Sequence, residues 1–343
     1  MDIISTIHIT DELPRTFLLS IGAFLLAMFM TPLYTYFAYK YRFWKKQRSK
    51  SIMGEKLEII TKLHANKFTR NIPTMAGIII IVAITLATVF NLDRGQTWLP
   101  LAALLGGALI GLLDDIINLR GNDAGMRLGI KFLLISVLGI ILGWWFFERN
   151  GVSSIHIPFA GDWFIGWLVI PVFAFAVVAT GTAVNISDGL DGLASGLLGL
   201  CYGAFGVIAL LQGQLFLAGF CFTIVGALLS YIWFNIYPAR FFMGDVGSFA
   251  LGASLGVVAM LTNTLFLLPV IGIVFVLEAG SSLVQIFSKR VFKRKLFISA
   301  PLHHHLEAIG WPETKVTMRF WVIGSVAAFV GVYLALAGGN IIL

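Results

Sequence analysis

Five short clusters hold most of the residues in this chain that are equipped for polar chemistry. Asp114-Asp115 are adjacent carboxylates. Asn185-Ile-Ser-Asp188-Gly-Leu-Asp191-Gly carries an amide and two acids between glycines, and Phe242-Met-Gly-Asp245-Val-Gly-Ser248 carries one acid between two glycines. Glu278, Ser281, Ser282, Gln285 and Lys289 follow i, i+3, i+4, i+7, i+11, a single polar stripe on a helix. His303-His304-His305 form the fifth cluster, with Lys293, Arg294 and Lys295 close before them. Carboxylate oxygens suit a hard cation, and Mg²⁺ is usually held by one or two carboxylates plus substrate phosphates and water. Glycines beside an acid let backbone approach a ligand closely. Imidazoles and lysines favour pyrophosphate or carboxylate groups. The combination points to a phosphate-bearing substrate and a metal at Asp245.

Each cluster also has a plain structural reading. Asp114 or Asp115 could pair with Arg127 or Lys131 across a short hairpin. Asp188 could cap a following helix, with Asp191 satisfying a second amide. Asp245 could do the same with Ser248 three residues on. The two stripe serines could bond a neighbouring helix, but Glu278 and Gln285 fit a cavity lining better. Three consecutive histidines cannot all face one metal if they are helical.

The elements that must position these groups are membrane helices. Of 343 residues, 58% are hydrophobic and only 12% charged, about half the share of a soluble domain, and mean hydropathy is +0.91. That excludes an ordinary soluble enzyme and a soluble nucleic-acid binder, despite a net charge of +7. Apolar runs long enough to cross a bilayer lie at roughly 16–37, 73–92, 98–117, 128–147, 163–183, 193–211, 214–237, 248–262, 264–288 and 320–341, with a weak break at Thr262–Thr264. The expectation is an all-α polytopic membrane protein of about ten transmembrane helices, one domain over 1–343, with the first helix retained. Cys201 and Cys221 lie in apolar runs and make no disulfide framework.

Lys and Arg orient the chain. Ten fall between Lys40 and Arg70 and seven between Lys289 and Arg319, and Arg120, Arg127, Lys131 and Arg240 share their parity. Only Arg15, Arg94 and Arg149 belong to the opposite side. A split of 21 to 3 makes the basic side cytoplasmic and puts both termini outside. All five polar clusters then reach one face, as a shared cleft requires.

Taken together these pieces carry a resemblance. Gly111-Leu-Leu-Asp-Asp115, Asn185 to Ala194, Phe234-Asn-Ile-Tyr-Pro-Ala-Arg240, Phe242 to Ser248 and Ala300-Pro-Leu-His-His-His-Leu-Glu307 occur in an order that resembles the phospho-N-acetylmuramoyl-pentapeptide transferases. These belong to the polyprenyl-phosphate N-acetylhexosamine-1-phosphate transferases. The resemblance spans about Lys62 to the end of the tenth helix. It implies a ten-helix fold, an active-site cleft on the cytoplasmic face, and often a homodimer in the bacterial inner membrane. The implied reaction moves phospho-MurNAc-pentapeptide from UDP-MurNAc-pentapeptide to undecaprenyl phosphate, giving lipid I and UMP in peptidoglycan synthesis. By the same resemblance Asp245 binds Mg²⁺ and Asp114-Asp115 are the catalytic pair. Phe242 stacks on uracil, Asn235 and Asp191 line the nucleoside pocket with Asn185 and Asp188 beside them, and Lys131 lies in the cleft. Gln285, His303, His304 and His305 rim the substrate site. Two departures stand out. Thr182 replaces a family Asn, and the loop His64-Ala-Asn-Lys67-Phe-Thr-Arg-Asn-Ile-Pro73-Thr-Met-Ala-Gly77 is two residues longer than the family pattern. Lys67 and Arg70 both compete for the family lysine's place.

Both readings converge on phosphoryl transfer, by direct attack on the β-phosphorus or through an aspartyl-phosphate. The nearest rival is a GlcNAc-1-phosphate transferase with the same metal site and another sugar pocket. A more distant one is an ion-coupled secondary transporter, against which stands the gathering of the acids at one face instead of the midplane.

Overall fold

The computed structural model describes residues 3–44, 71–120 and 125–339. Lys67, with His64 and Arg70, lies outside the described residues. Among the described residues twelve helices run α1 (Ile3–Lys40), α2 (Gly77–Val89), α3 (Trp98–Leu119), α4 (Leu128–Asn150), α5 (Val169–Ser187), α6 (Leu193–Leu211), α7 (Leu215–Asn235), α8 (Gly244–Leu261), α9 (Leu268–Ile271), α10 (Ile273–Val291), α11 (Leu302–Ala308) and α12 (Glu313–Ala337). Eight of the described helical stretches are long and apolar enough to cross a membrane, and the bent pair 265–271 and 273–291 makes a ninth. α2, with 13 residues, covers the remaining expected run, because the chain before it is non-helical from Ile72 to Met75. The polytopic all-α expectation therefore holds.

Three local differences have physical causes. α8 ends at the break at Thr262–Thr264, and the run after it is broken again: a 3-10 turn and α9 precede an 83° bend at Gly272 into α10. Ser154–Ile157 and Gly161–Phe164 form an antiparallel hairpin, β1 and β2, between α4 and α5. His156 of β1 bonds Asp162 opposite it at 2.8 Å and the Gly338 carbonyl at 3.0 Å, tying the hairpin to the end of α12. α8 starts at Gly244, four residues earlier than the apolar run suggests, so Asp245 lies in its first turn.

α8 is the axis of the bundle. Nearly every residue along it is buried, and the sequence makes room for it with glycine. A Cβ at Gly111 of α3 would overlap the Asp245 carbonyl, and one at Gly107 would fall 2.7 Å from the Phe249 carbonyl. Gly77 of α2 lies against Gly247, and Gly252 of α8 against Gly181 and the Thr180 carbonyl of α5. Small residues at such crossings let helix backbones touch, which is how helices associate where no hydrophobic difference separates protein from lipid. The outward faces of α1, α4 and α12 are apolar and exposed, among them Phe29, Phe132, Leu133, Val322 and Phe329, as a lipid-facing belt requires.

A methyl at Gly252 meets backbone 2.7 Å away, whereas one at Gly199 meets nothing within 4 Å. Gly252→Ala is expected to lower the thermal unfolding midpoint in detergent by roughly 2–10 °C, and Gly199→Ala by less than about 1 °C. Tryptophan fluorescence melts of the two variants check this.

Candidate active site

One end of the bundle collects the polar clusters. α3 carries Asp114 and Asp115 inward, and both side chains are fully buried. The helix continues to Leu119, so the acids sit more than a turn inside it. Unfavourable interaction of an acid with the helix dipole falls off beyond the last turn and is not their distinguishing feature. Their partners are. Asp114 accepts the Met126 N–H through Oδ1 at 2.5 Å and pairs with the Lys131 ammonium through Oδ2. Lys131 Nζ also lies 3.3 Å from Asp245 Oδ2. The hairpin ion pair is thus formed, and it extends to a third acid from another helix.

Asp245 is fixed from its other side. Asn185, in the last turn of α5, donates from Nδ2 to Asp245 Oδ1 at 3.1 Å and to Ser248 Oγ at 2.9 Å. Asp115 Oδ2 accepts the Val246 N–H at 3.0 Å, satisfying one of the free amides at the start of α8. Four helices therefore converge on one cluster of three carboxylates, one ammonium and one amide. Asp245 and Lys131 are partly open, with side chains 15% and 11% exposed.

The Asp188–Asp191 turn does not cap α6. Asp188 follows the last residue of α5, and Gly192 at φ +75° precedes α6 with no side-chain cap. The left-handed backbone that Gly192 supplies turns the chain into α6 without a side-chain cap. Asp191 Oδ2 accepts the Ala239 N–H at 2.9 Å, and its own N–H donates to Glu313 Oε1 at 2.6 Å. Asn235 accepts the Gly192 N–H at 3.0 Å and donates to the Phe241 carbonyl at 2.9 Å. These two residues hold the loop before α8, whose next residue is the half-buried Phe242.

The family resemblance places Gln285 at the rim of the substrate site. Its carbonyl oxygen accepts the N–H groups of Leu296 and Phe297 at 3.0 Å, and its amide donates to the Phe297 carbonyl at 2.9 Å. The side chain is a clamp on the basic turn after α10. The histidines separate as well. His303 is buried against Glu278, His304 bonds Glu307 at 2.9 Å, and His305 Nδ1 accepts the Ile298 N–H at 3.3 Å.

Some contributors were not singled out. Pro73 to Gly77 runs beside Phe242-Met243: Phe242 N–H donates to the Pro73 carbonyl at 2.8 Å, and Ala76 N–H to the Phe242 carbonyl at 3.0 Å. Met75, at φ +74°, holds the left-handed bend this pairing needs. Trp321 Nε1 donates to the Gly192 carbonyl, and Thr317 to that of Asp191. A Pro-Thr-Met-Ala-Gly stretch does signal a turn, but nothing in its spacing names Phe242 as its partner. Thr182, the departure in α5, is exposed.

Comparison with known proteins bears on this arrangement. A model described as Glycosyl transferase family 4 matches residues 97–263, from the start of α3 to just past α8. The phospho-N-acetylmuramoyl-pentapeptide-transferase of Chloroflexus aggregans is 38% identical over 350 residues, covering 97% of this chain and 92% of its own length. The protein of the same name from Geobacillus thermodenitrificans is 35% identical over 320 residues, with 91% and 95% covered. That from Levilactobacillus brevis is 39% identical over 275 residues, with 77% and 84% covered.

Removing the Gln285 clamp frees three backbone groups of the 292–301 turn without touching the carboxylate cluster. Gln285→Ala is expected to speed tryptic cleavage at Lys293–Lys295 at least several-fold in limited proteolysis, with the rest of the bundle equally resistant.

Proposed function

The chain belongs to the phospho-N-acetylmuramoyl-pentapeptide-transferase family, and from that premise we propose that the cluster of Asp245, Lys131 and Asp114 is where its phosphoryl group changes hands. The enzyme is a multi-pass bacterial membrane transferase of peptidoglycan synthesis. It moves phospho-MurNAc-pentapeptide from UDP-MurNAc-pentapeptide to a polyprenyl phosphate. Undecaprenyl phosphate as the acceptor, lipid I and UMP as the products, a homodimer, and a site open to the cytoplasm complete the proposal. The basic loops at the pole that holds the cluster support that orientation.

One observation carries the site assignment: Lys131 lies between Asp114 and Asp245, drawn from separate helices, while Asn185 fixes the far oxygen of Asp245. Acids, a lysine and an amide brought to one point from four helices of an apolar bundle mark a place for charged ligands. The donor set also suits Mg²⁺. Among the described residues no three His, Cys, Asp or Glu side chains are arranged to hold a metal ion by themselves, and a Mg²⁺ ion shared with substrate phosphates needs only one or two carboxylates. Asp245 would hold it with Asp114 beside it, and when bound it supplies neutralising charge for the pyrophosphate.

The chain's own groups then divide the work. Lys131 turns its ammonium from the carboxylates to phosphate oxygens as the anionic substrates enter. Asp114 receives the proton of the acceptor phosphate, whose oxygen forms a bond to the β-phosphorus. The bond from that phosphorus to the bridging oxygen breaks, and UMP departs with the electron pair. Asp115, committed to the Val246 amide, holds the start of α8 in place throughout. Phe242 offers its ring to uracil on the loop that Asn235, Asp191 and Pro73 support. The Asp188 turn closes the nucleoside side. The histidines and Gln285 shape the segment that borders the sugar and peptide. Lys67 is retained as a substrate contact on the resemblance alone.

In vesicles supplied with UDP-MurNAc-pentapeptide, undecaprenyl phosphate and Mg²⁺, the wild type is expected to release UMP and form lipid I. Asp245→Asn and Lys131→Met should each cut the rate at least about 100-fold, with unchanged chromatographic profiles. Full activity in Asp245→Asn would remove the site assignment. Turnover of UDP-GlcNAc in preference to the muramoyl substrate would favour the rival sugar specificity.

A further inference from the structure

Glu278 belongs to none of the groups that touch the carboxylate cluster, yet it is fully buried in the middle of a membrane helix. An ionisable residue at such a position is costly unless it has a task and a partner. Its partner is His303. Glu278 Oε2 lies 2.6 Å from His303 Nδ1, and Oε1 accepts the His303 backbone N–H at 3.0 Å. Both carboxylate oxygens are thus spent on one residue, fixing the ring in place and in rotation. A carboxylate only accepts, so the ring proton that meets Glu278 is on Nδ1. In the neutral ring the opposite nitrogen, Nε2, is then the acceptor.

That nitrogen is the second observation. His303 is 1% exposed, and Nε2 is buried with no hydrogen-bond partner among the described residues. It points at Gly189, in the turn between Asp188 and Asp191. A Cβ at Gly189 would overlap Nε2, so the glycine is what lets turn and ring lie against each other. A buried acceptor aimed at a backbone turn is poised for one of that turn's N–H groups.

We propose that Glu278 is a positioning residue that acts through His303 on the Asp188–Asp191 turn. It holds the imidazole with Nε2 as acceptor, and Nε2 takes a backbone N–H of the turn when the nucleotide sugar draws that turn inward. This rests on the nucleoside-side role given above to the same turn. The device serves binding of the nucleotide sugar and leaves the lipid acceptor's affinity alone. It also accounts for the stripe on α10: the residue at its head orients a histidine 25 positions on, while Gln285 clamps the connecting turn.

Glu278→Gln isolates the role. A glutamine keeps the shape, and its carbonyl oxygen still accepts the His303 N–H. Its amide donates to Nδ1, which moves the ring proton to Nε2 and sets donor against donor at the turn. The expected result in the UMP-release assay is a KM for UDP-MurNAc-pentapeptide raised at least tenfold. The KM for undecaprenyl phosphate and the melting midpoint stay at wild-type values. His303→Asn is the second variant, since its amide mimics Nδ1 and keeps Glu278 satisfied while Nε2 is absent. It should show the same selective KM increase, and the double variant should be no worse than His303→Asn alone. A wild-type KM for the nucleotide sugar in either folded variant overturns the proposal, as does an equal change in both KM values. Absence of UMP release by the wild type would instead sink the transferase reading, so the two failures are distinct.

Discussion

The carboxylate cluster of this protein depends on how closely α8 is allowed to approach its neighbours. Asp245 sits in the first turn of that helix, and its carbonyl backs onto Gly111 of α3. One turn along α3 are Asp114 and Asp115. The same approach brings Gly77 to Gly247 and Gly181 to Gly252, so α2 and α5 are equally tight on α8. Side chains of ordinary size at these crossings would hold the helices several ångströms apart. The carboxylates, Asn185 and Lys131 would then no longer meet. Packing of small residues, not hydrogen bonding, sets the active-site dimensions, and the hydrogen bonds of Asp115 and Asn185 fix the result.

The electrostatics follow from that geometry. Carboxylates buried in an apolar bundle are tolerated because each has dedicated partners: Met126 and Lys131 for Asp114, Val246 for Asp115, Asn185 and Lys131 for Asp245. An unpaired buried charge would cost several kcal/mol. The arrangement leaves Lys131 as the exchangeable element, since its ammonium serves two carboxylates until an anionic substrate offers oxygens instead. The chain's positive excess has a different job. Most of its lysines and arginines lie in loops of one parity and orient the bundle, while the few acids mark the chemistry.

Much of this was legible before any coordinates. The apolar runs are long and continuous, so membrane helices are read directly from hydropathy, and Asp114, Asn185 and Asp245 stood out as polar groups that such helices have no reason to carry. Partner assignment was less legible. Nothing in the spacing of Asp188 and Asp191 shows that Gly192 takes a left-handed conformation and turns the segment away from a capping role. Gln285 and Glu278 advertise a cavity lining by period, but whether a polar stripe meets substrate or clamps a neighbouring turn depends on contacts made by residues far along the chain. The β1–β2 hairpin was missed because its strands span four residues each, too short to show alternation.

The central claim is that glycine-mediated contact between α3 and α8 sets the catalytic geometry, and Gly111 tests it without altering any group that meets substrate. The measurement is the rate of UMP release by Gly111→Ala beside Gly106→Ala on the same helix, where the added methyl meets only the movable end of Leu138. The account predicts a loss of at least about 100-fold for Gly111→Ala, the scale of a misplacement of about 1 Å in reacting groups, and near-normal turnover for Gly106→Ala. Undiminished turnover by a folded Gly111→Ala enzyme would contradict it.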